Sequence, residues 1–200
     1  MNHQAFTKLL SKHLYPLLRK EGFRGSGATL RRVNGPVVHV FNVQGSAGSK
    51  RCYLNLGAHL AFLSSSGESD WEPDKILEYQ CAFSSRLDPP ADQAFGWNYG
   101  DCESEAEANA LAVIAAWQTQ GQSFFAQYTV FPDNFVRLVA DFSPEEANPA
   151  TCLTMARIAL HLSDSNRAAR IATSALCRVP AQATGLRHSL NQLLVEASAP

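Results

Sequence analysis

The sequence predicts an α+β fold: an antiparallel β-meander with an N-terminal helix and a long following helix, plus a C-terminal helical hairpin or bundle. Three observations lead to this prediction. Apolar residues recur every three or four positions over residues 2–21, which indicates a helix. They alternate with polar residues between 28 and 60, and three further helical stripes follow Pro149. We therefore expect an α+β domain at 1–148 and a helical extension at 149–200 packed on it.

The first predicted element is the helix over residues 2–21. Its apolar stripe consists of Phe6, Leu9, Leu10, Leu14, Leu17 and Leu18. Pro16 has no backbone N–H, so it should kink or divide this helix. Gly22 suits the left-handed position just past the helix end.

The next predicted elements are three strands: ATLRRV (28–33), VVHVFNVQ (37–44) and RCYLNLGAHL (51–60). The turn residues at 34–36, Asn-Gly-Pro, separate the first two. Matching the apolar faces of the second and third strands sets residues 44 and 51 opposite each other, with a loop from Gly45 to Lys50. The three strands then form an antiparallel meander.

That loop, within NVQGSAGSKRCYLNLG (42–57), has some features of a phosphate-binding loop. A P-loop needs G-x-x-x-x-G-K-[ST] leading into a helix. Here Ser49 separates Gly48 from Lys50, Arg51 stands at the hydroxyl position, and a strand follows. We interpret the segment as a hairpin connection that binds no nucleotide.

The remaining elements are predicted from shorter patterns. A strand is expected around 79–85, an aromatic strand in FGWNYG (95–100), and a long helix after the capping box at 104–107, with Gly121 as a potential break. Residues 134–142 fit a short helix or a strand. The last three helices follow, and the first two resemble a tetratricopeptide-like hairpin.

Composition fits a soluble cytoplasmic protein with a sizeable core. Apolar residues make up 46% of the chain and charged residues 18%. No apolar run approaches the ~18 residues of a membrane helix, and polar residues interrupt the N-terminal apolar residues, unlike a signal peptide. The five cysteines are widely spaced, so we expect free thiols.

Charge is uneven along the chain, although the net charge is −1. Residues 1–51 sum to +8, residues 52–151 to −12 and residues 152–200 to +3. Such asymmetry marks an interaction surface, unless the blocks neutralise each other in the fold.

Familiar catalytic and ligand motifs are absent from the sequence. No two histidines have metal-ligand spacing, and Cys52 and His59 are predicted to point to opposite faces of their strand. Glu68, Asp70, Glu72 and Asp74 alternate around Trp71. These residues fit three interpretations, all of which remain open: a solvated loop, a divalent-cation site or a partner-binding patch. We predict no cofactor, no metal and no direct nucleic-acid binding.

Six segments follow one another in a characteristic order: LYPLLRKEGF (14–23), TLRRVNGPVVHVFNVQ (29–44), YLNLGAHL (53–60), CAFSSRL (81–87), GWNYG (96–100) and the helix ending near QSFFAQY (122–128). In these segments residues 6–130 resemble the bacterial domain-of-unknown-function family numbered 4304. The family carries no catalytic motif to transfer. Similar small proteins are often encoded beside secreted antibacterial toxins, which implies an immunity protein rather than an enzyme.

We therefore expect a cytoplasmic, non-enzymatic immunity protein that binds and neutralises a cognate toxin. A nuclease effector of a type VI or related secretion system is one such toxin. The predicted partner-binding residues are Glu68, Asp70, Trp71, Glu72 and Asp74. The secondary candidates are Tyr53, Asn55 and His59 on a sheet face. Two alternatives stay open: a small-molecule or peptide-binding regulatory protein, and an enzyme with an unrecognised site.

Overall fold

The computed structural model describes residues 2–63, 72–91, 93 and 96–199. The chain forms two units, Met1–Thr129 and Val130–Pro200. The first contains an antiparallel sheet with helices and the second contains helices, so the predicted α+β class is confirmed. The division falls before Asp133–Asp141, whereas the sequence placed it at residue 148.

The sheet of the first unit has six strands within the described residues. They are β1 (Arg24–Ser26), β2 (Thr29–Asn34), β3 (Val37–Gly45), β4 (Arg51–Leu60), β5 (Phe83–Arg86) and β6 (Trp97–Asn98). The order is β1-β2-β3-β4-β5, with β6 also pairing with β4, and every pair is antiparallel. The predicted meander is the centre of this sheet.

The β3–β4 register differs from the predicted one by two residues. Gln44 lies opposite Tyr53 instead of residue 51. The Ser46 N–H donates to the Arg51 carbonyl at 3.0 Å and closes a hairpin over residues 46–50. Because side chains alternate with a period of two, this shift leaves every side chain on its predicted face. A strand follows Lys50, so the segment is a hairpin connection, as predicted.

One face of the sheet is covered by helices of the same unit. These are α1 (His3–His13), α2 (Tyr15–Lys20), α3 (Glu103–Ala116) and α4 (Gln122–Ala126), with a π-helical turn at Trp117–Gly121. Pro16 is the second residue of α2, so it divides the first predicted helix as expected. Gly121 does not break the long helix. A Cβ there would lie 2.6 Å from the Trp117 ring, so glycine lets the π-helical turn close around that ring.

The core lies between this helical layer and the sheet. The buried strand residues are Leu30, Phe41, Val43, Cys52, Leu54, Leu56 and Trp97, and the buried helix residues include Phe6, Leu10, Leu14, Leu18, Val113, Trp117 and Phe125. The Phe41 and Phe23 rings meet Trp117 edge to face. Such aromatic pairs add specific geometry to the burial of apolar surface.

A series of hydrogen bonds crosses this core through the side chain of His39, which is 1% exposed. The Arg32 guanidinium donates to His39 Nδ1 through Nη2 at 2.8 Å and Nε at 3.1 Å. Since arginine stays protonated, Nδ1 must accept, and we assign the ring proton to Nε2, 3.2 Å from the Tyr128 carbonyl oxygen. Burial, and then the Arg32 charge, lower the pKa of His39 to about 4.

The second unit contains α5 (Asp133–Asp141), α6 (Pro149–His161), α7 (Ser165–Leu176) and α8 (Thr184–Ala197). The ambiguous segment 134–142 is thus a helix. Arg167 on α7 donates to the Val139 carbonyl at 3.1 Å and also to that of Phe142, which satisfies the C-terminal end of α5. This link explains why α5 groups with the C-terminal helices.

Among the described residues of the first unit, the second face of the sheet is covered over one half. Residues 75–82, here called the strap, cross this face; Arg31 Nε donates to the Ile76 carbonyl at 2.6 Å. Ile76 packs on Val38 and Val40. At Gly57 a Cβ would lie 2.6 Å from Cys81 Sγ and 3.3 Å from Glu78 Cα, so the strap's close passage requires glycine.

We expect Gly57→Ala to destabilise the protein by about 1–3 kcal/mol, the usual cost of overpacking. Its backbone does not adopt the left-handed conformation, so the cost comes from the strap alone. Chemical denaturation of the variant measures it. Gly185→Ala on α8 is the matched control, because no atom lies within 4 Å of its added Cβ. A Gly57→Ala variant as stable as this control would contradict the close passage.

Stability should fall as the pH is lowered from 6.5 towards 4. The unfolded chain takes up a proton on His39 near its ordinary pKa of 6.5, whereas the folded protein resists protonation until about 4. Denaturation at a series of pH values should show a loss on the order of 3 kcal/mol from this group. Burial also lowers the pKa of His59, so protonation of that residue also reduces stability as the pH falls. The non-titrating His39→Gln variant should be less stable at pH 7 and lose less stability on acidification; equal pH slopes would contradict the assignment.

Candidate functional site

The open half of the second sheet face forms a polar groove of about 430 Å³. The residues lining it are Gln44, Asn55, Leu56, Glu78, Tyr79, Ser84, Ser85 and Arg86. The strands bring its polar side chains together through the pairs Gln44–Tyr53, Asn42–Asn55 and Asn55–Arg86. Paired residues in neighbouring strands point to the same face, so the register alone assembles this surface.

Asn55 is the centre of the groove floor and is 6% exposed. Its amide nitrogen lies 3.0 Å from Gln44 Oε1, 3.3 Å from Asn42 Oδ1 and 3.4 Å from Glu78 Oε1. Its amide oxygen accepts a hydrogen bond from Arg86 Nε at 3.0 Å. This buried side chain therefore connects three strands and the strap in one hydrogen-bonded network.

Arg86 and two tyrosines give the groove its larger side chains. The Arg86 guanidinium carbon lies 4.6 Å from the centre of the Tyr53 ring, in cation–π geometry. Tyr79 stands at the rim on a 3₁₀ turn, Glu78–Gln80, and is 73% exposed. Arg86 is thus held in place by Asn55 and Tyr53, while the Tyr79 ring is available for contact.

The secondary candidates Tyr53, Asn55 and His59 share one sheet face, but they differ in access. Asn55 lines the groove, and Tyr53 contacts the groove residue Arg86 through its ring. His59 is 2% exposed. Its Nε2 lies 3.1 Å from the Leu63 carbonyl oxygen and its Nδ1 accepts from the Ala82 N–H at 3.0 Å. The strap therefore removes His59 from the accessible surface.

The predicted acidic segment is described only in part. Glu68, Asp70 and Trp71 lie outside the described residues. Glu72 and Asp74 are exposed, and Glu72 Oε1 accepts from Lys75 Nζ at 2.9 Å. The chain continues from these acids directly into the strap, whose residues Glu78 and Tyr79 line the groove. Two of the five predicted residues therefore precede the groove by a few positions.

The Cys52–His59 pair does not form a nucleophilic site. Cys52 belongs to the helix-covered core and His59 to the opposite face, as the sequence predicted. Burial raises the pKa of the Cys52 thiol to about 12. Cys81 in the strap has its pKa raised to about 12, mainly by burial. Both thiols stay protonated, and all five cysteines are free, as predicted.

A larger cavity of about 580 Å³ lies beside the hairpin loop, and both of its basic side chains already have polar partners. Lys50 Nζ lies 2.6 Å from Asp101 Oδ1 and Arg51 Nε donates to Asn98 at 2.9 Å. In the described ranges no three His, Cys, Asp or Glu side chains cluster closely enough to hold a metal ion. Nor does any helix there have the length and apolar character needed to cross a membrane.

Sequence reasoning missed most of the groove. It named Asn55 and the neighbouring Tyr53 but not Gln44, Glu78, Tyr79 or Arg86. Strand alternation could have identified Gln44, which shares the face of Asn55 once β3 and β4 are paired. The predicted strand at 79–85 actually begins at Phe83, after the 3₁₀ turn, so neither Tyr79 nor Arg86 could be placed from the sequence.

Comparison with known proteins adds one finding. The model of the family described as "Domain of unknown function (DUF4304)" matches residues 14–127. No curated protein and no solved structure gives a significant match. The matched segment covers more than half of the chain and includes every residue of the groove. The chain therefore belongs to the DUF4304 family.

Proposed function

We propose that this protein is an immunity protein that binds and neutralises a secreted antibacterial toxin. Its docking surface is the groove together with the acidic segment that precedes the strap. In this proposal the protein acts in the cytoplasm, where the toxin would otherwise reach its target. A nuclease effector of a type VI or related secretion system fits as the toxin, because such enzymes present basic clefts to nucleic acid.

The observation that carries the proposal is the ordered Tyr53–Arg86–Asn55 arrangement beside the exposed Tyr79. Tyrosine and arginine are the residue types that dominate the energetics of protein interfaces. Arg86 is held by a hydrogen bond and a ring contact before any partner arrives. Binding therefore costs less side-chain entropy than it would for a free arginine.

The charge near the groove suits a basic partner. Residues 72–88 contain four carboxylates and two cations, for a local charge of −2. Exposed charges of one sign mainly raise the rate at which an oppositely charged partner associates. The acids predicted from the sequence would serve this role, while the groove holds the bound partner.

The direct test uses any toxin domain that a gene adjoining the gene for this protein encodes. Tyr79→Ala should weaken binding of that purified domain about tenfold or more, mostly through faster dissociation, because it removes an exposed aromatic anchor. Surface plasmon resonance measures both rates. Leu111→Ala is the matched control: Leu111 is 53% exposed on α3, in the helical layer of the opposite sheet face, so its loss should leave binding unchanged.

Two results would overturn parts of the proposal. If no neighbouring toxin domain binds the wild-type protein, it is not an immunity protein. If a toxin binds and Tyr79→Ala behaves like Leu111→Ala, the toxin uses another surface.

Asn55→Ala should reduce toxin affinity although Asn55 is nearly inaccessible. The variant loses the acceptor that orients Arg86 and leaves neighbouring polar groups without their partner, at a cost of about 1–3 kcal/mol in stability. Arg86→Ala should also weaken binding. In the Arg86→Ala background, Asn55→Ala should cause no further loss of affinity if it acts through Arg86. Additive losses in this double-mutant cycle would contradict that role.

A further inference from the structure

The strand β5 has one backbone edge that no other strand pairs with in the described part of the chain. The Leu87 N–H donates to the Leu54 carbonyl at 2.9 Å, so Leu87 directs its backbone groups towards β4. In an antiparallel ladder this direction alternates from residue to residue. Ser85 and Phe83 therefore face β4, whereas Ser84 and Arg86 direct their N–H and C=O groups outward.

This edge is open to solvent and borders the groove. Ser84, Ser85 and Arg86 are all exposed, and all three line the groove. The side chains of Ser84 and Arg86 lie on the groove face, because they pair with Gly57 and Asn55. An extended segment placed along β5 would form backbone hydrogen bonds and would also direct alternate side chains onto the groove face.

We propose that the outer edge of β5 binds an extended, basic segment of the partner protein by strand addition. The backbone of Ser84 and Arg86 supplies the hydrogen bonds. The groove rim supplies the contacts that select the side chains. The identification of the partner as a toxin rests on the proposed function. Strand addition at this edge can be tested without it.

The chemistry of the rim argues for lysine or arginine in the added strand. Tyr79 offers an exposed ring, against which a long basic side chain can pack its stem and its charge. Glu78 lies beside that ring, and Asp88, which is exposed, follows β5 two residues later. Arg86 opposes this attraction only in part, because its guanidinium is directed onto Tyr53 and Asn55.

The edge can be tested with a synthetic heptapeptide of alternating threonine and lysine, titrated into the full-length protein and followed by amide NMR. We expect the largest shifts at Ser84, Arg86 and Tyr79. N-methylation of alternate peptide residues should weaken binding about tenfold when the methyl groups fall on the pairing edge. It should have little effect when they fall on the other edge, because strand addition uses one edge only.

Variants of the protein provide an independent test of strand addition. Ser84→Pro removes the outward N–H but no bond to β4, so it should abolish peptide binding, whereas Ser84→Ala should retain it. If Ser84→Pro does not fold, the N-methylated peptides still decide the question. Equal binding of both N-methylated peptides, or preference for a threonine–glutamate heptapeptide, would overturn the inference.

The two proposals fail separately. Toxin binding that depends on Tyr79 but survives in Ser84→Pro would overturn strand addition and leave the immunity role intact. Peptide binding at β5 without any binding of the neighbouring toxin would uphold the edge site and overturn the immunity role.

Discussion

The close passage of the strap over Gly57 is the contact on which the candidate site depends. It determines which half of the second sheet face is buried and which half is open. Arg31 holds the start of the strap through the carbonyls of Lys75 and Ile76 at 3.1 and 2.6 Å. Because glycine has no side chain, Cys81 and Glu78 can pack directly against the sheet at Gly57. As a result, Glu78 and Tyr79 stand at the groove rim, and His59 is sealed beneath the strap.

The two halves of this face are stabilised by different interactions. Under the strap, Val38 and Val40 pack against Ile76, and the buried polar group His59 has partners at both ring nitrogens. On the open half, Asn42, Gln44 and Asn55 satisfy one another and leave their outer surface to water. A buried amide without partners would be costly, so the network around Asn55 is what makes a polar floor stable. The same network fixes Arg86, which links the stability of the sheet to the shape of the site.

Much of this arrangement follows from the sequence, and the failures have physical causes. Alternation placed Tyr53 and Asn55 on one face correctly, although the predicted β3–β4 register was wrong by two residues; an error of one residue would have reversed both faces. The uneven charge blocks also lose much of their meaning once the chain folds. Met1–Thr129 contains eleven basic and twelve acidic residues, and Val130–Pro200 contains six of each. Lys50 pairs with Asp101 across two of the predicted blocks. Tyr79 could not be placed because its position depends on the strap. Arg86 could not be placed because its position depends on the pairing of β5 with β4, which are distant in sequence.

The hairpin loop and the groove differ in how clearly the sequence displays them. The loop at 46–50 concentrates glycine, serine and lysine, which mimic a phosphate site, yet its geometry is that of a turn between two strands. The groove has no local motif, because the polar residues of its floor come from alternate positions of three strands and its rim comes from the 3₁₀ turn. Interleaved with them are the core residues Phe41, Val43, Leu54 and Leu56, which dominate the sequence pattern. A candidate site on a sheet face is therefore hard to recognise in the sequence, because the alternation that folds the sheet separates its residues until the strands are paired.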